Sequence, residues 1–249
     1  MEPRIEPQME PKTEPKTEPK TEPRASVLSL RGVALSARRR TDTVDFDLAH
    51  REVAVVELDE YSDADAFIDL CLGLVEPPTG EVYCLGQPWQ ALGYHDRLDH
   101  RSRIGTLIDS QVWPAHMPVV QVALAARLYH TDQTEAETVA EATILARRFG
   151  LPGLPIAVSE QVPAGDLVRA ACVRAFLGAP ELVVIADPAL ESAGELGTAV
   201  AQAIGAVQDR GGAVLWLLHE YGASAARYVS ADQVWRLDDR GLIRARRQP

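Results

Sequence analysis

Apolar positions along the chain fall into two alternating kinds of segment. Short continuous runs read as buried strands: Val53–Val56, Leu182–Ile185 and Ala213–Leu218. Weaker alternation predicts strands over Ser26–Leu35, Val44–Leu48, Glu81–Leu85, Ile104–Ile108, Val234–Leu237 and Leu242–Arg244. Between them, helical spacing recurs. Phe67, Ile68, Cys71, Leu72 and Val75 form one apolar face, and Leu167, Ala170, Ala171, Val173 and Leu177 form another within Asp166–Leu177. Helices are also expected over 118–129, 134–149 and Glu195–Asp209. Turns are marked by Glu76-Pro77-Pro78-Thr79-Gly80 and Leu151-Pro152-Gly153-Leu154-Pro155. The polar stretch Trp89–Arg103 reads as a solvated loop; its His95 and His100 have no third ligand spaced to make a metal site. Strands alternating with helices predict an α/β fold with a parallel sheet at its core.

The first residues follow another pattern. Residues 2–24 repeat Glu-Pro-x-x six times, which excludes helix and sheet and leaves nothing to bury. We expect a disordered, partly polyproline-II tail over 1–25, a solvated extension or a tether for a partner, ahead of a folded body over 26–249. Over the whole chain an apolar fraction of 46% is ample for a core. A net charge of −11 argues against nucleic acid and anionic membranes as partners. No apolar run reaches membrane-spanning length, so no direct membrane insertion is expected, and the polar, Pro-rich start does not resemble a signal peptide. The expected location is cytoplasmic, with Cys71, Cys84 and Cys172 as buried thiols. All three lysines, Lys12, Lys16 and Lys20, lie in the tail, so the body has none.

The segment after Val53–Val56 is chemically unusual. A strand, a short loop and a helix form the setting of a phosphate-binding loop. Here, however, Glu57, Asp59, Glu60, Asp63, Asp65 and Asp69 place six carboxylates in thirteen residues with no base among them. No glycine occurs between Glu57 and Gly73 to take positive φ and fold backbone N–H groups into an anion nest. Like charges ~4 Å apart near a protein surface oppose each other by roughly 4 kcal/mol. This loop should repel a polyanion.

Three blocks carry a family resemblance. They are Gly73-Leu74-Val75-Glu76-Pro77-Pro78-Thr79-Gly80-Glu81-Val82, the run from Arg169 to Leu182, and Leu217-Leu218-His219-Glu220. With their spacing, the chain resembles the nucleotide-binding domain of ABC transporters over roughly residues 27–240. The resemblance implies a P-loop NTPase-like parallel core with a β subdomain and a helical subdomain at about 110–175. It also carries the family's functional positions over one by one. The first Walker A glycine becomes Leu58, the glycine before the lysine Asp63, the lysine Ala64, and the Mg²⁺-binding Ser/Thr Asp65. The adenine-stacking aromatic falls near Ala37 and the Q-loop glutamine becomes Asp109. The signature motif becomes Val162-Pro163-Ala164-Gly165-Asp166, with Gly165 retained. The Walker B aspartate becomes Ala186, the catalytic glutamate Asp187, and the switch histidine is His219.

These losses imply a degenerate cassette. Phosphoryl transfer depends on positioning and on neutralising γ-phosphate charge, and the residues that do both are gone. The expectation is therefore a non-hydrolysing structural or regulatory subunit of an ABC-type transport system, with no catalytic residue, no metal and no cofactor, although the family uses ATP and Mg²⁺. Asp187 and His219 are the retained or near-retained positions. Partners implied by the resemblance are transmembrane permease subunits, a competent ABC ATPase, or both, with the chain dimeric and held at the inner face of the membrane through them. Trp113, Pro114, His116 and Met117, within Ile108–Arg127, are either an anchor group for a permease helix or core. The Asp109–Trp113 region resembles ATPases of lipid transport. Two alternatives stay open: an unconventional ATP- or metal-phosphate-binding ATPase using Asp63, Asp65 and Asp109, and an internal phosphate mimic. In the latter the acidic loop pairs with Arg38, Arg39 and Arg40, or with Arg244, Arg246 and Arg247.

Overall fold

Alternation within each central strand decides which side of the main sheet a residue serves. Val53 and Val55, Val183 and Ile185, and Val214, Trp216 and Leu218 face one core. Ala54 and Val56, Leu182 and Val184, and Ala213, Leu215 and Leu217 face a second core on the opposite side. Both faces are buried, which is why these strands read as unbroken apolar runs. The structure is a computed structural model and describes residues 26–35, 43–60, 62–108, 113–186, 190, 194–219 and 229–245. The tail, Ala37, the Arg38–Arg40 run, Asp109, Asp187, Glu220, Arg246 and Arg247 lie outside the described residues.

Two sheets form. A four-stranded antiparallel sheet has the order β2-β1-β4-β5, from β1 (Ser26–Val33), β2 (Val44–Ala49), β4 (Glu81–Cys84) and β5 (Gln87–Pro88). A six-stranded sheet has the order β10-β9-β3-β8-β7-β6. It combines β3 (Val53–Leu58), β6 (Ile104–Ile108), β7 (Leu182–Ala186), β8 (Ala213–Leu218), β9 (Gln233–Asp238) and β10 (Gly241–Arg244). All its pairings are parallel except β9–β10. The expected α/β architecture with a parallel core and an antiparallel β subdomain is present.

Helix α1 (Ala64–Cys71) packs Phe67, Ile68, Leu70 and Cys71 into the core that the two sheets share. It ends earlier than the apolar spacing suggests, and Val75 lies exposed beyond it. The stop is Gly73, at φ +63°, where any Cβ would overlap the Trp89 ring. Trp89 also donates its indole N–H to the Cys71 carbonyl at 3.1 Å. The other core is covered by α3 (Val119–His130), α4 (Glu135–Arg148), α5 (Ala164–Phe176) and α6 (Gly194–Asp209). At the start of α4, Thr134 and Glu137 form a reciprocal capping box.

The reading of Trp89–Arg103 as a loop is corrected. A 3₁₀ turn at Trp89–Ala91 is followed by helix α2 (Tyr94–Ser102), which buries no residue and so has no apolar stripe to betray it. Tertiary contacts hold it instead. Arg97 donates to the Leu92 carbonyl, and Arg103, just past the helix, pairs bidentately with Glu181 at 2.6 and 2.9 Å.

Candidate functional site

Open parallel sheets place their chemistry at the carboxyl ends of the strands. In register, Glu57 lies beside Leu218, Ile185 beside Trp216, and Ile108 beside Ala186. One edge therefore gathers Leu58 at the end of β3, His219 just after β8 and Ala186 at the end of β7. Gly165 is set apart from them, in the first turn of α5.

The β3–α1 loop is closed by its own hydrogen bonds. Asp59 donates its N–H to the Leu237 carbonyl at 3.0 Å, and the Asp59 carbonyl accepts from both the N–H and the hydroxyl of Ser62. Asp63 is the N-cap of α1, where its Oδ1 accepts the Ala66 N–H at 3.1 Å. A carboxylate there satisfies an otherwise unpaired helix donor and suits the positive end of the helix dipole. Among the described residues from Glu57 to Leu72, none takes positive φ, and none of them contributes an αL step to an anion nest. Leu58 and Ala64 pack against the core between the sheets, so Ala64 offers only a methyl group on apolar surface. Asp63 and Asp65 are exposed. Among the described residues no three His, Cys, Asp or Glu side chains are grouped to hold a metal ion.

One basic partner of this loop is absent from the sequence reading. Arg236, on β9, donates to Asp59 Oδ2 at 2.9 Å, and this carboxylate raises the guanidinium pKa. The signal lies in strand register, since Arg236 pairs with Glu57 across β3 and β9. Arg244, named as a mimic partner, instead places its guanidinium 5.9 Å from the centre of the Trp235 ring.

The remaining expected groups are distributed as follows. Trp113 is 8% exposed and packs in the core, with the Arg174 guanidinium 4.6 Å from its ring centre. The anchor group therefore splits, because Pro114, His116 and Met117 stay exposed. Ala186 is half-buried against the inter-sheet core. His219 is exposed at the sheet edge. At the signature position, the Gly165 carbonyl accepts from Arg169 at 3.1 Å. His95 stacks edge-on against Tyr94, while His100 bonds the Asp96 carbonyl through Nδ1. All three cysteines are buried and none is in a disulfide, and burial pushes the Cys84 thiol up to about 12.

No protein-family model matches the chain, and no curated protein sequence matches it. Solved structures match its fold. The ATP-binding cassette MJ0796, in a dimeric post-hydrolysis state bound to ADP and Pi, superposes with a TM-score of 0.74 at 15% identity, covering 88% of this chain and 99% of that one. The ATP-binding subunit of an ABC transporter gives 0.72 at 19% identity, covering 86% and 87%. CbiO1 from Clostridium perfringens, part of the ABC transporter complex cbiONQ, gives 0.70 at 15% identity, covering 88% and 87%. The fold is that of ABC transporter ATP-binding cassettes. Among the described residues no helix is long and apolar enough to cross a membrane.

This corrects one expectation. The absence of any cofactor was inferred from the loss of the glycine cradle, the lysine, the Mg²⁺-binding positions and the signature serine. The fold is a nucleotide-cassette fold, and a structure that shares it holds ADP and Pi, so an expectation of no cofactor does not stand. The chemistry of the β3–α1 loop is a separate matter. Its carboxylates and the capped start of its helix do not fit a triphosphate cradle, and no catalytic step is drawn through it.

Proposed function

We propose that this chain is a cassette-fold subunit of an ABC-type transport system that does not itself hydrolyse ATP and acts structurally or as a regulator. The observation that carries this reading is the β3–α1 junction. The Walker A lysine position is Ala64 packed on the core, and the preceding position is an Asp63 carboxylate bonded to the helix's own N–H. Nucleotide stays in the proposal as the ligand class of the fold; what the reading denies is turnover. In this reading Asp187 is a near-retained and His219 a retained family position, and neither alone can hold a phosphate. The reading also takes the tail as 1–25, the cassette body as 26–249 and the helical part as about 110–175.

The partners in this proposal are permease subunits, a competent cassette ATPase, or both. Relatives in fold support it, since one is a dimer and another belongs to a multi-subunit transporter. The exposed Pro114, His116 and Met117 are the contact group we assign to a permease, which would hold the chain at the inner face of the membrane. The likeness of Asp109–Trp113 to lipid-transport ATPases makes a lipid the cargo class to test first. The decisive experiment measures phosphate release from Mg²⁺-ATP by the purified chain, with calorimetry of Mg²⁺-ATP on the same sample. We expect no turnover above background, whatever the binding isotherm shows. Turnover that Asp187→Asn abolishes would overturn the proposal.

A further inference from the structure

Basic side chains from three helices converge on a cavity of about 90 Å³ away from the sheet's carboxyl edge. Arg101 comes from the last turn of α2, Arg127 and His130 from one face of α3, and Arg174 from α5. Gly105 on β6 forms part of the wall. Its missing Cβ lets α5 close on the sheet, since a Cβ there would stand 1.9 Å from the Ala175 carbonyl oxygen. This cluster lies in a chain whose net charge is −11, so it runs against the overall field.

The partners of these cations are mostly neutral. Arg101 donates to the Leu72 and Gly73 carbonyls and lies 5.6 Å from the centre of the Trp89 ring. Arg127 donates to the Gln133 side-chain oxygen at 3.2 Å. Arg174 rests on the face of Trp113, and no carboxylate among the described residues pairs with it. Two carboxylates stand at longer range, Glu141 at 4.0 Å from Arg127 and Asp99 at 3.8 Å from His130. Carbonyls, an amide and indole faces orient guanidinium groups without neutralising them. Burial also lowers the Arg174 pKa, the direction expected for a cation short of counter-charge. Cationic groups gathered in a partly closed cavity favour an anion over water.

We infer that this cavity binds a single oxyanion group, a carboxylate or a phosphate, held by Arg127, His130 and Arg174 with Arg101 at its edge. Size limits the ligand to one such group, because small-molecule pockets run from roughly 300 Å³ upward. This assignment does not depend on the transport reading, since the cavity lies outside the loop that carries it.

The test titrates the full chain with inorganic phosphate and, separately, with acetate, against chloride at constant ionic strength. Binding is followed by heat and by thermal shift. We expect saturable binding of one of the two oxyanions and a raised melting temperature. The rim variant Arg127→Gln/His130→Gln should bind at least ten-fold more weakly, since the loss of even one charge-assisted hydrogen bond costs about that factor, with a slightly lowered ligand-free melting temperature from the lost Arg127–Gln133 bond. Arg174→Lys keeps the charge and should retain most of the binding, which guards against misfolding of a neutral variant at that buried site. Preference for acetate assigns the cavity to a carboxylate, and preference for phosphate assigns it to a phosphate group. Oxyanion responses equal to chloride, or undiminished in the rim variant, overturn the inference.

Discussion

The β3–α1 junction and the α2–α3–α5 cavity are both places where charge collects, with opposite sign and opposite origin. At the junction the carboxylates are neighbours in sequence, and the fold spends two of them locally: Asp63 caps α1, and Asp59 pairs with Arg236. In the cavity the charges come from residues up to Arg174 that begin with Arg101, and the fold gives them mostly carbonyls, an amide and aromatic faces. A dense run of like charge in sequence thus finds specific partners for two of its carboxylates, and a scattered set is the one that meets mostly neutral groups. Density along the chain measures repulsion in the unfolded state; availability in the folded state depends on what the backbone brings alongside.

The comparison can be broken first at the cavity wall. Gly105→Ala inserts a methyl group against the Ala175 carbonyl, so α5 must move off β6. We expect a loss of about 3 kcal/mol in denaturant unfolding, the upper range for overpacking, together with loss of oxyanion binding. A variant as stable as the parent would show that the cavity does not depend on the close approach of α5.

The junction is sharpened by two substitutions at one position. Asp63→Ala removes the cap and should cost about 1 kcal/mol, whereas Asp63→Asn keeps a capping oxygen and should cost only a few tenths. Equal losses in the two variants would mean that charge at the helix start, and not the hydrogen bond to Ala66, is what matters there. The smallest effect is expected at the Asp59–Arg236 pair, where both side chains reach solvent. A double-mutant cycle with Asp59→Asn and Arg236→Gln should give a coupling that shrinks as salt is added. Coupling that persists at high salt would instead mark the pair as the lock that holds the loop in place.

Much of the scaffold was legible because burial on both faces leaves an apolar run that can be read directly, as in Val53–Val56 and Ala213–Leu218. That the described part of this loop takes no positive φ was legible for a similar reason: without glycine in the Glu57–Leu72 stretch, that conformation is costly. Helix α2 escaped because its sequence, Tyr94-His95-Asp96-Arg97-Leu98-Asp99-His100-Arg101-Ser102, has no apolar stripe and the helix is held by side-chain bonds to distant carbonyls. Arg236 could be found only through the β3–β9 register. The cavity needed four elements brought together, and no spacing along the chain encodes that. The inference from altered motif residues to a missing cofactor failed for a different reason: the residues of a few motifs cannot speak for the ligand class of a whole fold.

The stack of Arg174 on Trp113 has an optical consequence. Indole emission responds to a charge held against its ring, and Trp113 carries the partly buried Arg174 guanidinium of the cavity on its ring. An anion that draws Arg174 away from the ring changes the field on that fluorophore. Trp216, sealed in the core with no exposed surface, keeps its surroundings throughout. The protein therefore carries, without any added dye, a sensor at the cavity and a built-in reference in its interior.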